Sequence, residues 1–236
     1  MKNKNILITG TTNGIGYALA TQLVKKSANL ICINRNADKA DQFHEDLDTS
    51  NIACLDLISD LATLNESNCQ ELVDEILKDF DEIHGIVLNA GILGPLKPLQ
   101  DVNEEEWKKI FDVNVHANFL LLKHLVPLIS LDAKAKIILL SSGVGYEGRA
   151  YWGAYSASKF ALNGLAEILA DELSTHKNIQ VISFNPGATN TAMRTQAFPS
   201  EDPSSISSTE SVAKDILKLL DEDFDAPKLH LSRSDI

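Results

Sequence analysis

Tyr155 and Lys159 stand four apart at the start of a helical pattern, so they share one helix face. That spacing has a chemical use. A free tyrosine titrates near pH 10, too high for ready proton exchange at neutral pH. A cation held against the phenol favours the phenolate, each pKa unit corresponding to about 1.4 kcal/mol. The same ammonium can hold the ribose hydroxyls of a nicotinamide cofactor. Ser142 ends an apolar run upstream and could hydrogen-bond a substrate carbonyl oxygen. By itself a Tyr-x-x-x-Lys pair is common on helix surfaces, so its meaning depends on what else the chain supplies.

A second constellation opens the chain. The first apolar run passes into Thr9-Gly10-Thr11-Thr12-Asn13-Gly14-Ile15-Gly16, where a helical pattern begins. Gly10 permits a tight turn, Gly14 lets backbone approach a pyrophosphate, and Gly16 lets helix and strand pack closely. Phosphates would lie against Thr12, Asn13 and Ile15 at the helix N-terminus, facing free N–H groups and the positive end of the dipole.

These residues need a scaffold, and the periodicity provides one. Short apolar runs at Asn5–Thr9, Asn29–Ile33, Ile52–Leu55, Ile83–Leu88, Lys136–Ser141 and Ile179–Phe184 read as strands. Several are apolar at consecutive positions, as in parallel sheets covered on both faces. Helical patterns fall at Gly14–Lys26, Ala37–Leu47, Glu66–Phe80, Asn103–Leu128 and Gly153–Thr175, then at Glu210–Leu220. Strand–helix alternation over a chain of 236 residues predicts one α/β domain, a doubly wound Rossmann domain with a six- or seven-stranded parallel sheet. Ser200–Thr209, rich in Ser, Pro and acids, reads as a mobile surface loop within a substrate loop near 190–209. Lys228–Leu231 could form a short last strand.

The motifs together resemble the short-chain dehydrogenases/reductases, over about Lys4 to Met193. The glycine spacing is that family's form. Its Asp after the third strand, which contacts adenine, matches Asp56 followed by Leu57, although Asp56 also suits an N-cap. Its Asn-Ala-Gly after the fourth strand matches Asn89, Ala90 and Gly91, which could equally be turn formers. The family's catalytic set corresponds to Asn114, Ser142, Tyr155 and Lys159; the thirteen-residue spacing to Tyr155 selects Ser142 over Ser141. The resemblance implies that Tyr155 exchanges a proton with a carbonyl or alcohol, Lys159 lowers its pKa and binds ribose, and Ser142 polarises the carbonyl. The Asn114 region would hold a water linking Lys159 to solvent. The segment Pro186-Gly187-Ala188-Thr189-Asn190-Thr191 matches the part that flanks the carboxamide, with Thr191 as its polar contact. Within the family, the stretches around Ser142–Tyr155 and Thr191–Pro199 look like a bacterial branch of uncharacterised cytoplasmic oxidoreductases. The C-terminus departs from the family, lacking the glycines that usually flank the last strand.

Cofactor choice turns on the second strand end. NAD-preferring relatives carry an acid where this chain has Asn34, and Arg35 sits where NADP-preferring relatives carry a basic side chain. Its guanidinium could clamp a 2′-phosphate, so the resemblance predicts NADP(H) over NAD(H); the plainer reading is a surface arginine.

Composition narrows the classes. A net charge of −12 and a pI near 4.9 argue against nucleic-acid or anionic-membrane partners. No apolar run reaches the roughly 20 residues needed to span a bilayer. Cys32, Cys54 and Cys69 form no close pair, and Cys32 and Cys54, in apolar strand runs, read as buried free thiols in a reducing compartment, hence a cytoplasmic protein. The six His residues lack ligand spacing, so no catalytic metal is expected. Two apolar stripes on Gly153–Thr175, one through Leu162, Leu165, Leu169 and Leu173 and one through Ala157, Ala161, Gly164 and Ile168, imply two burial partners. By resemblance this predicts a homodimer, and a tetramer is the larger alternative. The sequence thus predicts a carbonyl/alcohol oxidoreductase acting on a small molecule. The alternatives are a 3-oxoacyl-carrier-protein reductase, with Arg149 and Arg194 as its basic residues, and a non-catalytic cofactor-sensing module.

Overall fold

The computed structural model describes residues 1–47, 49–222 and 229–236. Its elements run β1 (Asn5–Thr9), α1 (Gly14–Lys25), β2 (Asn29–Asn34), α2 (Ala37–Asp46), β3 (Cys54–Ile58), α3 (Glu66–Asp79) and β4 (Gly85–Leu88). They continue through α4 (Glu104–Phe111), a π-helical turn at Asp112–His116, α5 (Ala117–Leu125), β5 (Ala135–Leu140), α6 (Gly153–Glu172) and β6 (Ile179–Asn185). The chain closes with α7 (Ala192–Ala197), α8 (Thr209–Asp221) and β7 (His230–Ser232).

The seven strands form one all-parallel sheet in the order β3-β2-β1-β4-β5-β6-β7. Side chains two apart on a strand share a face, and both faces are apolar. Leu7, Ile31, Ile86, Ile137 and Leu139 pack against α3, α5 and α6. Ile6, Ile8, Leu30, Val87 and Ile138 pack against α1, α2 and α8 on the other side. The order reverses between β1 and β4, and the crevice outside the strand ends at such a switch point is where these sheets bind ligands.

Four expectations change. The third strand lies further along than Ile52–Leu55: its register runs from Leu30↔Cys54 to Asn34↔Ile58, and the Ser59 N–H still bonds the Asn34 carbonyl at 2.8 Å. The helix expected over Asn103–Leu128 is interrupted by the π turn, where the Asn118 side chain donates to the Asn114 carbonyl at 2.8 Å. The segment near 190–209 carries α7, a 3₁₀ turn at Pro203–Ser205 and a bridge between Thr189 and Ser207. A last strand forms without the flanking glycines, pairing Ser183–Asn185 with His230–Ser232; Lys228 lies outside the described residues. No helix among the described residues is long and apolar enough to cross a membrane.

Candidate active site

The glycine turn is bolted down from three sides. Gly10 adopts a left-handed φ of 75° and its N–H bonds the Ile33 carbonyl at 2.9 Å. The Asn89 amide donates to the carbonyls of both Thr9 and Gly10 at 3.0 Å. Thr9 Oγ1 in turn accepts from the backbone of Asn89 at 3.0 Å and of Ala90 at 2.9 Å. A Cβ on Gly16 would lie 2.0 Å from the Gly10 oxygen and 2.7 Å from the Asn89 amide nitrogen, so α1 can approach β1 and β4 this closely only through a bare glycine. Asn13 precedes α1 without a side-chain cap, which leaves the first N–H groups of the helix turned to the cleft beside Gly14 and Ile15.

Beside this turn Asn34 is buried. Its Oδ1 accepts from the Thr11 N–H at 2.9 Å, and its Nδ2 donates to Asp56 at 3.0 Å. A neutral amide at this strand end therefore serves the turn directly. Arg35, Asn36 and Lys39 line the cleft outside it. Asp56 and Leu57 do not reach the cleft. They lie within β3, Asp56 held by Asn34 and His44, and Leu57 buried in the core. Asp60 and Leu61, four residues on, line it instead. Sequence reasoning missed both, and it missed Lys39, which the Asn36 cap sets into the first turn of α2.

At the other end the helix spacing places Tyr155 and Lys159 together, both buried. Lys159 Nζ donates to the Leu140 carbonyl at 2.7 Å and sits 5.6 Å from the centre of the Tyr155 ring. Burial pushes the phenol up to about 12, and its hydrogen bond to the Ser142 hydroxyl pulls against that. Burial also pushes the Lys159 ammonium down to about 8. The expectation that Lys159 lowers the Tyr155 pKa is not met in this geometry, because the ammonium is bound to Leu140 and desolvation dominates. Ser141 points away, donating to Asn163 at 2.6 Å, so Ser142 is the serine that faces the phenol.

Asn114 is fully buried and spends its side chain on neighbours. Its Oδ1 accepts from the Ile92 N–H at 2.9 Å, and its Nδ2 donates to the Ile92 carbonyl at 2.9 Å and to Ser158 at 3.0 Å. A Cβ on Gly91 would meet Asn114 Oδ1 at 3.2 Å and Lys159 Nζ at 3.8 Å, so the bare Gly91 lies between them. Pro186 and Thr191 line the cleft, and Thr191 Oγ1 also caps α7 by accepting from the Arg194 N–H. Gly187, at φ 66°, and Thr189, buried and bonded to the Pro186 carbonyl, shape that loop from behind. Aromatic rings pack beside Tyr155: Trp152 lies 5.9 Å from Tyr155 and 5.7 Å from Phe198. Arg149 stacks over both Trp152 and Phe198, whereas Arg194 is paired with Glu201 at 2.5 Å.

One cleft of about 390 Å³ thus runs from Arg35 and Lys39, past the glycine turn and Asn89–Gly91, to Tyr155 and Lys159. The sequence profile of the short chain dehydrogenase family matches residues 4–202. The chain belongs to the short-chain dehydrogenases. It shares 36% identity over 225 residues with the uncharacterised oxidoreductase YciK of Escherichia coli K12, covering 94% of this dehydrogenase and 88% of that protein. The NADPH-dependent pterin aldehyde reductase of Arabidopsis thaliana is 31% identical over 83% of the chain and 78% of its own length. Among solved structures, a Shigella flexneri short chain dehydrogenase complexed with NADP superposes with a TM-score of 0.92 at 34% identity, covering 98% of this chain and 97% of that one. The dehydrogenase is an oxidoreductase on a Rossmann-type sheet, as the resemblance implied.

Proposed function

We propose that this oxidoreductase interconverts a carbonyl and a secondary alcohol using NADP(H), with Tyr155 as the acid/base. The observation that carries the reading is the single cleft with phosphate-binding features at one end and the buried Tyr155 and Lys159, with Ser142 against the phenol, at the other. The residues present fit the cofactor. Free α1 N–H groups suit a pyrophosphate, Arg35 and Lys39 suit a 2′-phosphate, and Asp60 suits adenine. That the Shigella relative was solved with NADP supports the same choice. Bound nicotinamide supplies or accepts the hydride. Lys159, freed from Leu140, holds the ribose hydroxyls. Ser142 donates to the substrate carbonyl oxygen, and Tyr155, held protonated by burial, delivers its proton to that oxygen as the alcohol forms. Asn114 is a positioning residue that fixes Ile92 and Ser158 around Lys159.

Carrier-protein substrates need a basic patch, and Glu201 already neutralises Arg194, which leaves little of one. Trp152 and Phe198, packed beside Tyr155, favour flat ketones. The homodimer reading rests on Phe119, Phe160 and Ile168, which are 44–57% exposed on α5 and α6, and on Gly164, where a Cβ would meet nothing within 4 Å. Light scattering at micromolar concentration should give twice the chain mass; a monomer refutes it. The test of the activity is NADPH consumption with a panel of ketones and diketones. Turnover of one or more supports the enzyme; tight NADPH binding with no turnover across the panel favours the sensing module.

A further inference from the structure

Behind the ribose end of the cleft, β2, β3 and α2 gather side chains that the reaction does not use. Cys54 and Asp56 are two apart on β3 and share a sheet face. The register pairs Cys32 with Asp56 and Leu30 with Cys54, which sets Cys32 on the same face beside both. α2 covers this face with Phe43 buried, and the next residue, His44, brings its Nε2 against Asp56 Oδ2. The donor atoms of His44, Cys54 and Asp56 all lie within 4.8 Å of one another. Cys32 is fully buried beside them on the neighbouring strand. Asn34 Nδ2 holds the other carboxylate oxygen, Oδ1, at 3.0 Å and leaves Oδ2 turned to the imidazole.

We propose that His44, Cys54 and Asp56, with Cys32 as fourth donor, form a binding site for a tetrahedral divalent metal ion of the zinc class. Two sulfurs, one imidazole nitrogen and one carboxylate oxygen are a donor set that selects such an ion over magnesium or calcium, which prefer oxygen. The Asn34 contact is the kind of outer hydrogen bond that orients a ligating carboxylate. Entry is open, since the His44 side chain is 32% exposed. Binding displaces the thiol protons into solvent, so affinity rises with pH. The site stands apart from the reacting groups and ties β3 through Asn34 to the glycine turn. It would therefore be a structural metal, in a chain whose histidine spacing gives no sign of one.

The test uses the tag-free full chain, reduced, stripped with a chelator and then exposed to zinc or cobalt(II). Elemental analysis after gel filtration should find one ion per chain, with a thiolate-to-cobalt charge-transfer band. His44→Ala and Cys54→Ser should each weaken binding at least tenfold. If Cys54→Ser fails to fold, the more exposed His44 variant decides the matter. Failure to retain an ion, retention unaffected by His44→Ala, or a Cys32–Cys54 disulfide in the unreduced protein would each overturn the proposal.

Discussion

Asn36, Asn65 and Asn103 begin α2, α3 and α4, and each side chain accepts a hydrogen bond from the third residue of its helix. Asn13 stands in the same place before α1 and makes no such bond. The residue type is the same; the difference is what the helix end faces. α2, α3 and α4 close their own N-termini, satisfying orphan donors for stability. α1 keeps its donors free toward the cleft. α6 starts without a side-chain cap too: Trp152 occupies the position, and Tyr151 before it is left-handed at φ 73°, anchored by Lys97 N–H to its carbonyl at 3.0 Å. A left-handed tyrosine costs about 1–3 kcal/mol and persists where the surroundings over-determine it. Apart from α5, which continues out of the π turn, the uncapped starts carry the phosphate turn and Tyr155, so the free helix ends that give up local stability are those the proposed chemistry uses.

That contrast can be broken by mutation, and the largest effect belongs to the uncapped α6. Lys159→Ala should lower turnover by about a hundredfold or more and also weaken NADPH binding. Wild-type kcat/KM for NADPH, which reports the free enzyme, should fall as pH rises through about 8, where the buried ammonium loses its charge. The fall should vanish in the alanine variant; a wild-type profile flat from pH 6 to 10 would refute the role given to Lys159. At the α1 end, Arg35→Ala should weaken NADPH by about 1.5–3 kcal/mol, the scale of hydrogen bonds to charged groups, and leave NADH little changed. Equal losses for both cofactors, by titration, would mean that Arg35 holds the loop and not the phosphate. The smallest effect falls on a capped end. Asn65→Ala should cost about 1 kcal/mol in denaturant unfolding and leave NADPH affinity unchanged. A loss of affinity there would erase the distinction between the two kinds of helix start.

Local spacing made much of this legible. The glycine turn, the strand runs and the Ser142, Tyr155 and Lys159 spacing are each short-range patterns, and the structure gathers the turn, Tyr155 and Lys159 around one cleft with Ser142 against the phenol. Misreadings arose where register or side-chain reach decides. The run from Cys54 to Leu61 contains Asp-Leu twice, and only the pairing of β3 with β2 shows that Asp60, not Asp56, reaches the cleft. The π turn depends on Asn114 and Asn118 bonding across it, which a helical period does not reveal. His44 comes from α2 and Cys54 and Asp56 from β3, so no linear motif announces the set. The Tyr155 pKa moves up and not down because burial, invisible in the spacing, outweighs the hydrogen bond from Ser142.

The proposed role of Tyr155 is tested most directly by Tyr155→Phe, which removes the phenolic oxygen and keeps the ring that packs against Trp152. NADPH consumption should be compared between wild type and variant on whichever carbonyl compound the panel identifies, with NADPH affinity measured alongside. Turnover should fall by at least about a hundredfold, the range expected for a lost general acid, while affinity stays as in wild type. A phenylalanine variant that binds NADPH and turns over like the wild type would contradict the account.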